Sequence, residues 1–330
     1  LGANLVDDVN MAARVNVFGP SFVMDPRSAD QLIAEAVAVA ERAEVIVACV
    51  GEAKEHTGES STRTDITLPA SQRRLLSALH AVGKPLVIVT MSGRPLVLEW
   101  EHAHANAMLH TWFGGSETGS AIADLLFGVV NPSARVTMSF PRDSGQCPVY
   151  YAEAPTGRPR DRIGVDVGGD SEVDAQGRHV FRKFTTACRI EGAHTPLYAF
   201  GHGLSYTRFD YSDLSVNKTA LGGMQDVLRV SVTLRNAGSR AGTEVVQLYI
   251  TDPVAGRSRP LLELKDFRRV TLPAGEAQTV QFELTTAALR YFLGTSLTQP
   301  DAVFEPGSFI IHVGSSSVAT QSIAIDWQVA

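Results

Sequence analysis

Val45-Ile46-Val47-Ala48-Cys49-Val50 runs directly into Gly51-Glu52-Ala53-Lys54-Glu55-His56-Thr57-Gly58-Glu59-Ser60-Ser61-Thr62-Arg63-Thr64-Asp65. The apolar run does not alternate, so it reads as a strand buried on both faces. The charged stretch after it reads as a loop, because Leu68-Pro69 and a helical pattern follow. In open α/β sheets, loops leaving the C-terminal ends of strands hold the chemistry. The neighbouring segments therefore decide whether such a sheet exists.

Upstream, Ser28 with Gln31 three residues on has the form of a capping box. Leu32, Ile33, Ala36, Val37 and Ala40 then recur at helical spacing, giving a helix over Ala29 to Arg42. Downstream, Leu75, Leu76 and Leu79 mark a second helix that ends near Gly83. Pro85 to Met91 reads as a second strand, Pro95 to Ala103 as a short helix and Ala107 to Trp112 as a third strand. Ser116 is placed to cap a helix bearing Ile122, Leu125 and Leu126, which Gly128 closes. Arg135 to Phe140 reads as a fourth strand. Strand and helix in this rhythm predict a parallel sheet covered on both faces.

From Pro141 to about Gly203 periodicity fades and Gly, Pro, Asp and Arg become frequent, which reads as a linker or extended insertion. The texture then changes to short alternating runs, Val227 to Leu234, Val245 to Ile250 and Val280 to Leu284, with a last strand at Phe309 to Val313. Turns such as Asn236-Ala237-Gly238 and Pro273-Ala274-Gly275 separate them. Such spacing predicts an antiparallel β-sandwich. The expected division is α/β over 1–145, linker over 146–205 and β-sandwich over 206–330.

Composition narrows the function classes. The chain has 330 residues, 44% hydrophobic and 19% charged, which is ordinary for a globular protein and long enough for two domains. A net charge of -6 gives no basic footprint for nucleic acid. No apolar run reaches the roughly 20 residues of a membrane-spanning helix. Gly51-Glu52-Ala53 lacks the closely spaced glycines that a dinucleotide pyrophosphate requires. Gly115-Ser116-Glu117 fails the Gly-x-Ser-x-Gly pattern of a serine hydrolase. Cys49, Cys147 and Cys188 are too dispersed for a metal or redox pair, and Cys49 reads as a core residue. His102, His104 and His110 match no standard zinc spacing, so neither metal nor cofactor is assigned. The chain opens at Leu1 without methionine or a signal-peptide pattern, as expected of a processed or truncated product.

A series of short segments, in order, carries a resemblance to a known family. They include Val50-Gly51-Glu52-Ala53, Ser61-Thr62-Arg63-Thr64-Asp65-Ile66-Thr67-Leu68-Pro69, Gly83-Lys84-Pro85-Leu86-Val87 and Gly93-Arg94-Pro95-Leu96. Thr111-Trp112-Phe113-Gly114-Gly115-Ser116-Glu117, Ala123-Asp124-Leu125-Leu126-Phe127-Gly128 and Asn131-Pro132-Ser133 follow. Phe140-Pro141, Pro148-Val149-Tyr150-Tyr151, Thr156-Gly157-Arg158-Pro159, Phe200-Gly201-His202-Gly203-Leu204-Ser205-Tyr206 and Leu264-Lys265-Asp266-Phe267 complete the set. Together they resemble the C-terminal part of glycoside hydrolase family 3, close to bacterial periplasmic-type β-glucosidases. Residues 160 to 180 match no part of that pattern, and Cys188 stands where the family often has an aromatic residue.

The resemblance implies an α/β sandwich followed by a fibronectin type III-like domain, in an enzyme whose N-terminal barrel carries an aspartate nucleophile. No segment here resembles that barrel. The partners implied are a β-glucoside or oligosaccharide and the missing barrel, joined or as a second chain. The apolar face such a truncation would uncover favours self-association. A periplasmic or secreted setting is also implied. In the family the acid/base glutamate precedes an arginine by four residues, which selects Glu59 and Arg63. Glu52 and Glu55 are competitors without that offset, and Glu52, against the strand end, has a structural role open to it. Arg63 is expected to pair with Asp65 or with a barrel residue. His56 and Trp112 are candidates for contacting the substrate, although a solvated loop histidine and a core tryptophan are the commoner fates. The competing reading of the whole chain is a catalytically silent carbohydrate-binding or docking module.

Overall fold

The computed structural model describes residues 27–53, 56–154, 172–173, 176, 179–180, 195–294 and 302–328. The chain divides into two compact units, one of residues 1–123 with 140–147 and the other of 124–139 with 148–330.

The first unit is α/β. Its elements are α1 (Ala29–Ala40), β1 (Ile46–Gly51), α2 (Ala70–Ala81), β2 (Leu86–Met91), α3 (Glu99–His104), β3 (Ala107–His110) and α4 (Thr118–Leu126), the last crossing the boundary between the units. The strands form a parallel sheet in the order β1-β2-β3, with Ile46 opposite Leu86 and Val87 opposite Ala107. Ser28 and Gln31 make the reciprocal capping box that starts α1, and α1 packs against α2. Gly83, at φ +76°, ends the turn after α2. Parallel pairing brings Gly51, Met91 and His110 to one edge of the sheet, and the charged loop leaves from that edge.

Three expectations are corrected. Val45 to Val50 is not buried on both faces: Ile46, Ala48 and Val50 are buried, whereas Val47 and Cys49 are exposed. β1 is an edge strand among the described residues, so an apolar run here does not mean two covered faces. Cys49 is accordingly no core residue. The short helix begins at Glu99 rather than Pro95, because Val97 bridges Thr67 and its N–H donates to Ile66 O. Finally, Arg135 to Phe140 is not a ladder strand: Val136 instead exchanges hydrogen bonds with His202 O and Gly201 N, and Arg135 pairs with Glu244 at 2.7 Å.

The second unit is a β-sandwich. Beyond the small antiparallel pair β4 (Glu172–Val173) and β5 (His179–Val180), it comprises β6 (Phe209–Val216), β7 (Ala220–Leu221), β8 (Leu228–Asn236), β9 (Gly242–Thr251), β10 (Glu263–Leu272) and β11 (Ala277–Leu284). A short helix α5 (Thr286–Leu289), the pair β12 (Tyr291–Phe292) and β13 (Ala302–Val303), and the hairpin β14 (Gly307–Ser316) and β15 (Ala319–Trp327) follow. One sheet has the order β10-β9-β14-β15-β7 and the other β11-β8-β6, antiparallel except for the β15–β7 pair.

Alternation in β8 and β11 turns Val230, Val232, Val280 and Phe282 into a shared core with Val246, Leu248, Phe309 and Trp327. Alternation fails in β9, where Val246 to Ile250 are all buried. The outer face there is covered by residues that read as linker. Gln247 Nε2 donates to Gly201 O and Ser315 O at 3.2 and 2.6 Å, and Tyr151 stacks on Phe200 at 4.1 Å and packs edge-on against Tyr249.

Candidate active site

The loop after β1 begins with a forced turn. Gly51 has φ +146°, and a Cβ there would lie 1.8 Å from Met91 O, so only glycine fits. Gln72, on α2, grips its backbone with both ends of the side-chain amide: Gly51 N donates to Oε1 at 2.8 Å and Nε2 donates to Gly51 O at 2.9 Å.

Glu52 follows, with a fully buried side chain. Arg63 Nη1 donates to its Oε1 at 2.7 Å, and Arg94 Nε lies 3.2 Å and 3.3 Å from its two oxygens. Burial of a carboxylate is tolerated only with such compensation. The expected Arg63–Asp65 pair is thus replaced by Arg63–Glu52. Asp65 caps a tight turn instead, its Oδ1 accepting from Thr67 N at 2.8 Å, and hydrogen bonding by the Thr67 hydroxyl and N–H holds its carboxyl below the usual range.

Arg94 also reaches the loop, donating from Nη2 to His56 O at 2.5 Å and to Thr57 Oγ1 at 3.1 Å. Gly93 permits this approach, since a Cβ there would meet Thr57 Oγ1 at 2.5 Å. His56 Nδ1 accepts from Ala53 N at 3.2 Å, which puts the proton of the neutral ring on Nε2. His56 is therefore partly committed to the loop's own fold.

Glu59 is exposed and, among the described residues, has no hydrogen bond or ion pair. It lies between Gly58 at φ +102° and Ser60 at φ +61°. A serine in the left-handed region is uncommon, and strain of this kind gathers at functional sites. Glu55, the third glutamate of the loop, lies outside the described residues.

Trp112 sits two residues past β3, half-buried, at φ +55°. Its ring meets His110 edge-on at 4.3 Å and Phe140 at 5.9 Å, so one side of it is packed. Phe113 beside it is exposed. His110 Nδ1 lies 2.9 Å from Thr90 Oγ1, and burial lowers the imidazole to about 4. An unfolded histidine titrates near 6.5. Between those values the unfolded chain binds the proton and the folded one does not. Stability should therefore fall as pH drops from about 6.5 to 4 and level off below. His110→Asn should remove about 1–3 kcal/mol of that loss, read as the difference in urea midpoints at pH 7 and pH 4.5 between variant and parent. An unchanged slope would show that the imidazole is not sheltered.

Arg94 was missed by the sequence reading, although Gly93-Arg94-Pro95-Leu96 was among the matching segments. No local signal ties it to a carboxylate 42 positions earlier.

Parallel strands end at one edge, a loop is anchored there, and it carries a carboxylate with no partner among the described residues, in the position where open α/β sheets place their chemistry. Residues 4–206 match the glycosyl hydrolase family 3 C-terminal domain, and residues 244–317 match a fibronectin type III-like domain. The chain belongs to glycosyl hydrolase family 3. It is 42% identical over 316 residues to a periplasmic β-glucosidase of Salmonella typhimurium, covering 96% of this chain and 38% of that protein. A β-xylosidase of Formosa agariphila is 38% identical, with 86% and 35% covered. The crystal structure of a β-glucosidase from Listeria innocua in complex with glucose superposes with a TM-score of 0.79 at 34% identity, covering 92% of this chain and 39% of that one. The chain thus spans less than two fifths of these relatives' length.

Proposed function

We propose that this chain supplies the acid/base half of a retaining β-glycosidase acting on the non-reducing end of β-glucosides. The observation that carries the proposal is the contrast between two glutamates of one loop. Glu52 is buried and held by two arginines, whereas Glu59 is exposed and unpaired among the described residues. Only the second can offer an oxygen to a substrate.

Glu59 would protonate the departing glycosidic oxygen and then take a proton from the water that releases the sugar. A retaining enzyme needs a second carboxylate about 5 Å away to attack the anomeric carbon. That group belongs to the portion of the relatives this chain does not span, so the 330-residue chain alone is inactive in this reading. Trp112, with one side packed and one partly open, is placed to flank the leaving group, and His56 would contribute its Nε2–H. In this division the α/β sandwich of 1–145 does the chemistry, 146–205 connects, and 206–330 is the fibronectin-like domain. The name of the Salmonella relative favours an exported setting. The test is Glu59→Gly in the barrel-joined enzyme, with azide added. Recovery of rate with a β-configured glycosyl azide as product supports the role, and undiminished hydrolysis without azide overturns it.

A further inference from the structure

We infer that Arg94 is a positioning residue for Glu59, acting through the buried Glu52 carboxylate; the inference rests on the role proposed for Glu59. Two stretches flank that residue on the loop. On the near side, Arg94 holds His56 O at 2.5 Å and Thr57 Oγ1 at 3.1 Å, three and two residues before Glu59 respectively. On the far side, Arg63, four residues after it, is held through Glu52 at 2.7 Å and through its own bond to Thr67 O at 3.0 Å. Glu52 accepts from both arginines, so one carboxylate ties the two ends of the segment together.

The strand ends supply the fixed frame. Glu52 N–H donates to Met91 O at 2.8 Å at the close of the β1–β2 ladder, and Arg94 follows β2 by three residues. The arginine is thus mounted on a different strand from the loop it holds. Between the anchors, Glu59 makes no bond of its own among the described residues, so its place depends on the anchored ends. Arginine suits the task because its planar fork binds a carboxylate and a carbonyl at once, which an ammonium cannot reproduce.

A displaced acid slows only the bond cleavages that need it. Arg94→Met and Arg94→Lys, made in the barrel-joined enzyme, should therefore be compared by kcat/KM on a dinitrophenyl β-glucoside and on cellobiose. The first substrate leaves without protonation, and kcat/KM reports only the steps up to that departure. On cellobiose Arg94→Met should lose roughly 100-fold and Arg94→Lys roughly 10-fold, in line with a displacement of about 1 Å. On the dinitrophenyl glucoside both should stay within about 3-fold. A merely structural arginine would lower both substrates by the same factor, and that result overturns the inference, as does no loss on either. Glu59→Ala separates the two proposals. If it discriminates between the substrates and the Arg94 variants do not, only the positioning role falls. If Glu59→Ala itself shows no discrimination, both fall.

Discussion

Glu59→Gly in the barrel-joined enzyme is expected to lower kcat/KM on unactivated β-glucosides by about 10³-fold, within the 10²–10⁴ that a positioned proton donor supplies. That is about 4 kcal/mol of transition-state stabilisation. The residual rate should come from sugar contacts and the attacking carboxylate, neither of which the substitution touches. Azide should restore rate on an activated substrate, because an anionic nucleophile needs no base to deprotonate it and fits the space the side chain vacates. Folding should hardly change. An exposed residue without partners changes stability by within about 0.5 kcal/mol when replaced, so an unaltered urea midpoint belongs to the prediction. A large activity loss with a large stability loss would place Glu59 in the scaffold instead.

Glu52→Ala should behave in the opposite way. Removing one partner of a buried ion pair costs about 3–5 kcal/mol, because the other charge is left stranded. Here two guanidinium groups would be stranded, but Arg63 and Arg94 keep 18% and 24% exposure and can turn partly to water. About 3 kcal/mol is therefore expected, at the low end of that range. Urea denaturation of the 330-residue chain measures it. A loss under about 1 kcal/mol would mean that solvent already screens the cluster. Two glutamates seven positions apart would then be distinguished by stability and activity measured in parallel, one costing fold and the other chemistry.

What the sequence made legible was what it encodes locally. The Ser28–Gln31 capping box, the glycine stop after α2 and the alternation of β8 and β11 each depend on neighbours a few positions away, and each appears as read. Segment texture likewise marked the change from α/β to β-sandwich. The failures share a different cause. Val45 to Val50 looks the same whether a sheet face is covered or open, and coverage is decided by elements elsewhere. Arg135 to Phe140 has a strand's composition, but Arg135 is drawn to Glu244, 109 positions away. For Arg63 the sequence offers Asp65 nearby or a residue of the barrel, whereas the carboxylate it pairs with lies eleven positions back. The outer face of β9 alternates in the written sequence yet is sealed by Gly201 and Ser315. Within the loop, the four-residue offset selected Glu59 by resemblance alone, and geometry now adds an independent reason, the commitment of Glu52.

The amide of Gln72 has a consequence outside catalysis. Glu52 N–H points toward β2, so by the alternation of a strand the N–H and C=O of Gly51 face the opposite edge, where no strand pairs with β1 among the described residues. Those are the groups through which a foreign strand would add to the sheet, the usual route to aggregation. Gln72 satisfies both, as the backbone of a neighbouring strand would, without offering another edge in turn. The chain thus closes its own border at the position where the loop must depart, and the end of β1 is unavailable as a template for another copy.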